Sequence, residues 1–181
     1  MANYDNARGF WPAHPITPVE YLCKTGETVA IGDAMFPDGS AGGMTIALSN
    51  SGVIWNGGVV CPQDNEAGVH ISAQGANLYT TSTAAVTVWL YPFIDPDTAC
   101  PNYFYIQASG TPAVGMENEL CDIEGATSAM EANENANTEA VLQIVSLCAG
   151  EYVVDSSGRS VLNEVGANGI LKVRAVLARA A

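Results

Sequence analysis

The sequence predicts an all-β protein: a small β-barrel or sandwich of short strands with an extended N-terminal arm. Three observations predict it. Nine or so short runs rich in Val, Ile, Thr and aromatic residues are cut by Gly, Pro, Asn and Asp turns. Pro12, Pro15 and Pro18 recur three apart near the N-terminus, a spacing that disfavours both helix and sheet and favours extended backbone. No segment carries the apolar stripe of an amphipathic helix. With 181 residues the chain can bury a core without disulfide or metal staples.

Residues 1–22 form the arm. Its segment "GFWPAHPITPVEY" carries Phe10, Trp11 and Tyr21 as adhesive side chains. Such an arm either folds back on its own core or reaches a neighbouring subunit. Aromatic side chains dominate interface hot spots, so Phe10 and Trp11 are expected to contact a neighbour.

Residues 23–181 form the β-rich body. "TVAIGDAMF" runs into "PDG", where Pro37 pre-sets φ and Gly39 tolerates a positive one. "MTIALS" ends at "NSG", and "VIWNGGVVC" holds Asn56-Gly57, a hairpin signal. "VHISAQG" and "NLYTTS" follow. In "AVTVWLYPF", Val86, Val88 and Leu90 share one face while Thr87, Trp89 and Tyr91 share the other. A soft division falls near residues 95–102, in "FIDPDTACPN", between an N-terminal barrel and a C-terminal β lobe of one packed unit. "YFYIQAS", "VLQIVSLC" and "GILKVRAVL" are the remaining strands. "ATSAMEANENANTEAV" has no apolar stripe and reads as a long exposed loop with at most one helical turn.

Charge is unevenly placed. The formal net charge is −13, from six Lys and Arg against 19 Asp and Glu. No basic residue lies between Lys24 and Arg159, whereas Glu117, Glu119, Asp122, Glu124, Glu131, Glu134 and Glu139 cluster in the loop-like region, where they read as a solvated acidic face. Lys172, Arg174 and Arg179 are half of the cations and lie in the last strand and its tail. In "GILKVRAVL" the alternation sets Leu171, Val173, Ala175 and Leu177 toward the core, and Ile170, Lys172, Arg174 and Val176 outward. That outward stripe suits an acidic partner or a sister subunit. The plainer alternative pairs Lys172 and Arg174 with Glu164 or other acids of their own chain.

The same composition excludes several function classes. Nucleic-acid binding begins with phosphate neutralisation by a basic patch, which so acidic a chain does not offer. No apolar run reaches the ~18 residues of a membrane span, and the N-terminus lacks the apolar core of a signal peptide. His14 and His70 have no second ligand at metal spacing, and no nucleophile motif or phosphate-binding loop occurs. Asp95 with Asp97, and Asp64 with Glu66, lack the density of a calcium loop. The five cysteines lie far apart and read as reduced, several of them buried. No catalytic site, metal or cofactor is expected.

The C-terminal third, "VLQIVSLCAG...SVLNEVGANGILKVRAVL", resembles the end of small capsid decoration proteins of tailed bacteriophages. Leu142–Leu147 match a strand of the "LxIVGL" kind, Asn163–Asn168 match an Asn-Glu-x-Gly-Ala-Asn turn, and Leu171–Arg174 match a basic final strand. "YFYIQASG" and "GDAMFPDG" fit as well, while the ending "LARAA" and the number of cysteines depart from the pattern. The resemblance implies a non-enzymatic virion protein, made in the host cytoplasm, that decorates and stiffens the capsid surface. Its implied partners are the major capsid protein and its own copies, as a homotrimer. The expected contacts are Arg8, Phe10, Trp11, Arg159, Lys172, Arg174 and Arg179. The rival readings are a glycan- or host-surface-binding β module, such as a head spike or fibre with Trp55 and Trp89 as exposed platforms, and a glycan hydrolase built on two carboxylates.

Overall fold

The structure is a computed structural model that describes residues 9–24, 26–38, 43–46, 56–62, 79–80, 86–126, 129–138, 140–154 and 160–176. Among these every regular element longer than a single turn is a strand, so the all-β expectation holds. β1 is Trp11–Pro12, β2 Val19–Cys23, β3 Thr28–Val29, β4 Ala34–Asp38, β5 Gly43–Ile46, β6 Gly58–Val60, β7 Tyr79–Thr80 and β8 Val86–Pro92. β9 is Tyr103–Gln107, β10 Leu120–Ala126, β11 Ala129–Asn133, β12 Leu142–Ser146, β13 Tyr152–Val154, β14 Ser160–Leu162 and β15 Ile170–Ala175.

Two bodies of strands share one core. β2, β5, β4, β6 and β8 close into a barrel. Val88 and Leu90 fill it from alternate positions of β8, as the period of two requires. Gly57 and Gly58 let β6 slide between its neighbours: a Cβ on Gly57 would strike the Met35 carbonyl, and one on Gly58 the Tyr91 carbonyl. The second body is a six-stranded sheet in the order β1-β9-β15-β12-β10-β11. It curls on itself, because β11 returns to the end of β9 through a bridge between Ala108 and Ala132 and a 2.9 Å bond from Ser109 N–H to the Ala132 carbonyl. Phe104, Ile106, Met130, Leu142, Ile144, Leu171 and Val173 line its inner face.

Residues 95–102 lie between the last barrel strand and the first long strand of the sheet. They form a closed turn held by the Ile94–Pro101 bridge and by Asn102, whose side chain donates to the Pro92 carbonyl at 2.9 Å.

The arm differs from its expected course. Phe10 is 1% exposed and inserts between Phe93 of the barrel end and Phe104 of the sheet, in edge-to-face contacts at 5.8 and 6.3 Å. Phe10 N–H donates to the Gly32 carbonyl, Gly9 N–H to Met130, and β1 pairs with β9. Residues 9–23 therefore stitch the two bodies of their own chain together, and β2 is itself a barrel strand. Phe10 and Trp11, expected to contact a neighbour, are buried within their own chain instead. Burying them at home removes more apolar surface from water than a rim contact would, and this decides their place.

A second correction concerns the acidic region. Within "ATSAMEANENANTEAV" the stretch Ala129–Asn133 is a strand and not a loop: β10 and β11 pair as a hairpin from Asp122↔Asn133 to Ala126↔Ala129, while the described residues from 134 to 141 carry no strand. Met130 and Ala132 point inward at period two, and pairing with the rest of the sheet overrides the helical leaning of Ala and Glu.

Candidate docking face

β15 lies in the middle of the sheet, between β9 and β12, and sets the candidate site. Leu171, Val173 and Ala175 are buried, while Lys172 and Arg174 turn to the outer face. The strand is aimed by the "NEVGAN" turn. Asn163, 1% exposed, donates from its side-chain amide to the carbonyls of Leu147 at 2.8 Å and Ile170 at 2.9 Å, and its Oδ1 accepts Ile170 N–H at 2.8 Å. One asparagine thus ties the end of β12 to the start of β15. Three satisfied bonds in a buried place make it a rigid clamp.

On the outer face Lys172 Nζ lies 5.1 Å from the centre of the Tyr103 ring, a cation–π contact. Arg174 donates from Nε at 2.9 Å and from an Nη at 2.6 Å to the Gln143 Oε1. Among the described residues Lys24 and Glu27 make an ion pair at 3.9 Å, and neither Lys172 nor Arg174 makes one. The alternative that Glu164 neutralises them within the chain has no support in this geometry. Both cations are partly exposed on a strand paired with β9 on one side and β12 on the other.

The other end of the outer face is roofed. β13 and β14 form a hairpin hydrogen-bonded within itself, and Val153 on its underside packs with Trp11, Cys148, Ile170 and Tyr105. Trp11 is 8% exposed and its Nε1 has no hydrogen-bond partner among the described residues. The hairpin turns Tyr152 and Leu162, cross-strand neighbours, to the outside at 74% and 44% exposure.

Of the seven expected contact residues, the structure brings Lys172 and Arg174 together on the outer face and places Phe10 and Trp11 inside. Arg8, Arg159 and Arg179 lie outside the described residues, as do Trp55, His70, Asp64 and Glu66. Sequence reasoning missed Asn163 as a clamp and Tyr103, Gln143, Tyr152 and Leu162 as the surroundings of the cations. Strand register alone reveals these neighbours.

The remaining polar groups hold the fold. Asp95 accepts Asp97 N–H at 2.8 Å and Thr98 N–H at 3.1 Å, and these bonds lower its pKa. "IDPDT" is thereby a turn. Glu134, 3% exposed, accepts from Gly110 N–H and from the Asn135 amide. Glu131 accepts from Gln107, and Asp122 from Thr138 and Ala140 N–H. Several members of the acidic cluster are therefore structural acceptors rather than a wholly solvated face. His14 Nε2 accepts Tyr103 N–H at 3.3 Å while its Nδ1 faces the Pro15 carbonyl at 3.1 Å. It lines a groove of about 370 Å³ with Ile16, Pro92 and Asp95.

The cysteines are free. Burial pushes the thiols of Cys23, Cys61 and Cys121 up to about 12 and raises that of Cys148, while Cys100 is exposed. Among the described residues no three His, Cys, Asp or Glu side chains converge as metal ligands.

No protein-family profile matches the chain, and no solved structure does. A xyloglucanase of a Paenibacillus species is 30% identical over 107 residues. That alignment takes in 58% of this chain and spans 9% of the xyloglucanase.

Proposed function

We propose that this chain is a structural virion protein that decorates and stiffens the outer surface of a tailed-phage capsid. In this reading it binds the major capsid protein and its own copies, as a homotrimer. The observation that carries the reading is the pair Lys172 and Arg174: two cations without an acidic partner among the described residues, on a clamped central strand of a chain with charge −13. Such a stripe is suited to orienting the protein on an acidic surface, since charges at a contact set its direction and on-rate. The resemblance of the "NEVGAN" turn and basic last strand to phage decoration proteins supports the same reading, and the clamp gives that turn a physical purpose. The test is charge reversal. Lys172→Glu with Arg174→Glu should lower occupancy on particles by at least about tenfold at physiological salt, with the isolated fold intact. Unchanged occupancy would refute it.

The match to a xyloglucanase favours a second reading, a glycan-binding β module. Of the platforms that reading needs, Trp89 is half-buried. Calorimetric titration with xyloglucan oligosaccharides separates the two: saturable binding favours the second reading, and none favours the first.

A further inference from the structure

We propose that copies of this chain join head to tail, the Lys172–Arg174 face of one copy lying against the acidic β10–β11 hairpin of the next. This inference rests on the reading of the chain as a repeating surface component and names the faces by which the copies meet.

Strand order carries the argument. Across the outside of the sheet, register places Lys172 and Arg174 on β15, then Gln143 on β12, then Asp122 and Glu124 on β10, then Glu131 on β11. Glu117 and Glu119 stand exposed just before β10. One molecule therefore carries a cationic strip and an acidic strip two to three strands apart. The sheet curls between them, since β11 returns to β9, so the strips look in different directions. Complementary patches that face different ways make a heterologous contact, and such contacts close into rings when the rotation allows. This geometry suits a trimer better than a face-to-face dimer.

Electrostatics selects this arrangement over others. With −13 per copy, most approaches of two chains bring acids together within a Debye length of about 8 Å. The approach that sets Lys172 and Arg174 over Glu124 and its neighbours replaces that repulsion with attraction. Affinity also needs apolar burial, and the roofing hairpin beside the cations offers it in Tyr152 and Leu162, with Val165 40% exposed.

The experiment is sedimentation of the purified chain at low salt and in about 0.5 M salt, where screening is nearly complete. The wild type should associate at low salt and dissociate at high salt. Lys172→Glu/Arg174→Glu and Glu119→Lys/Glu124→Lys should each weaken association by about tenfold or more. Mixing the two variants should restore association between unlike copies, because the reversed cationic strip of one then meets the reversed acidic strip of the other, while a closed ring of three keeps one mismatched contact. Restoration also shows that both variants are folded. Tyr152→Ala should weaken association and leave its salt dependence in place. A wild type that stays monomeric at low salt, association unaffected by either reversal, or a mixture that stays apart would overturn the inference. Occupancy on particles, measured on the same variants, separates the two claims: particle binding by a monomeric wild type refutes this contact alone, and association without particle binding refutes the capsid reading alone.

Discussion

The inner and outer faces of the six-stranded sheet are made from alternate residues of the same strands, and they are held in different ways. Phe104, Ile106, Leu171 and Val173 face inward, without water, and are fixed by packing against both bodies. Tyr103, Tyr105, Lys172 and Arg174 face outward, and among the described residues the β13–β14 hairpin covers the Ile170 end of their face. The difference teaches that one strand can carry the fold and the contact at once, because a period of two separates the tasks by residue. A substitution on the inner face should therefore cost stability and one on the outer face should cost association.

The largest break should come from Phe10→Ala. It empties the aromatic contact between barrel and sheet, and large-to-small changes of this kind cost about 3–5 kcal/mol. Chemical denaturation would measure it, and a loss below about 1 kcal/mol would show that the arm does not bind the two bodies together. Next comes Asn163→Ala, which leaves the Leu147 and Ile170 carbonyls and the Ile170 N–H without their partner. A cost of about 2–4 kcal/mol is expected. Association should fall as well, since β15 loses its clamp, so this variant crosses the line between the faces.

A pH series sharpens the inner side of the comparison. Burial raises the thiols of Cys23, Cys61 and Cys121 from an ordinary value of 9.0 to about 12. The folded chain then holds those protons more tightly than the unfolded chain does. The stability linked to them is fully present below about pH 9 and is lost progressively as pH rises toward 12. Thermal melting should show Tm falling across that window. In the same samples at pH 8, a thiol reagent should label Cys100 quickly and the other four slowly; two or more fast thiols would contradict the burial. The smallest effect on stability belongs to Lys172→Glu/Arg174→Glu. Exposed charges usually contribute within about 0.5 kcal/mol, so a loss of several kcal/mol would mean that the outer face supports the fold after all.

The sequence showed its period-two strands plainly. β8, β9, β12 and β15 were legible because Val, Ile, Leu and aromatic residues alternate with polar ones, and the outward course of Lys172 and Arg174 followed from that. β10 and β11 were not legible. Their inward positions include small Ala132 and a lone Met130 among acids, and such composition looks helical until a neighbouring strand supplies hydrogen bonds. The arm was legible as extended but not in its destination, because Phe10 meets Phe93 and Phe104, residues far along the chain. Asn163 showed only as part of a familiar turn. The three-residue strands β13 and β14 were too short to declare themselves, and with them went the roof over Trp11 and the exposed Tyr152–Leu162 pair.

The position of β15 has a consequence for synthesis. It is the last of the described strands to leave the ribosome, yet it belongs in the middle of its sheet, between β9 and β12. Until it arrives, β9 and β12 have no strand to join them and the inner face lacks Leu171 and Val173. Contacts of such long sequence separation form late and slowly. The two cations are thus displayed on the outer face only after β15 has joined the sheet. In the proposed reading, a copy that has not yet added β15 lacks the strip by which it would attach, so attachment waits on that strand.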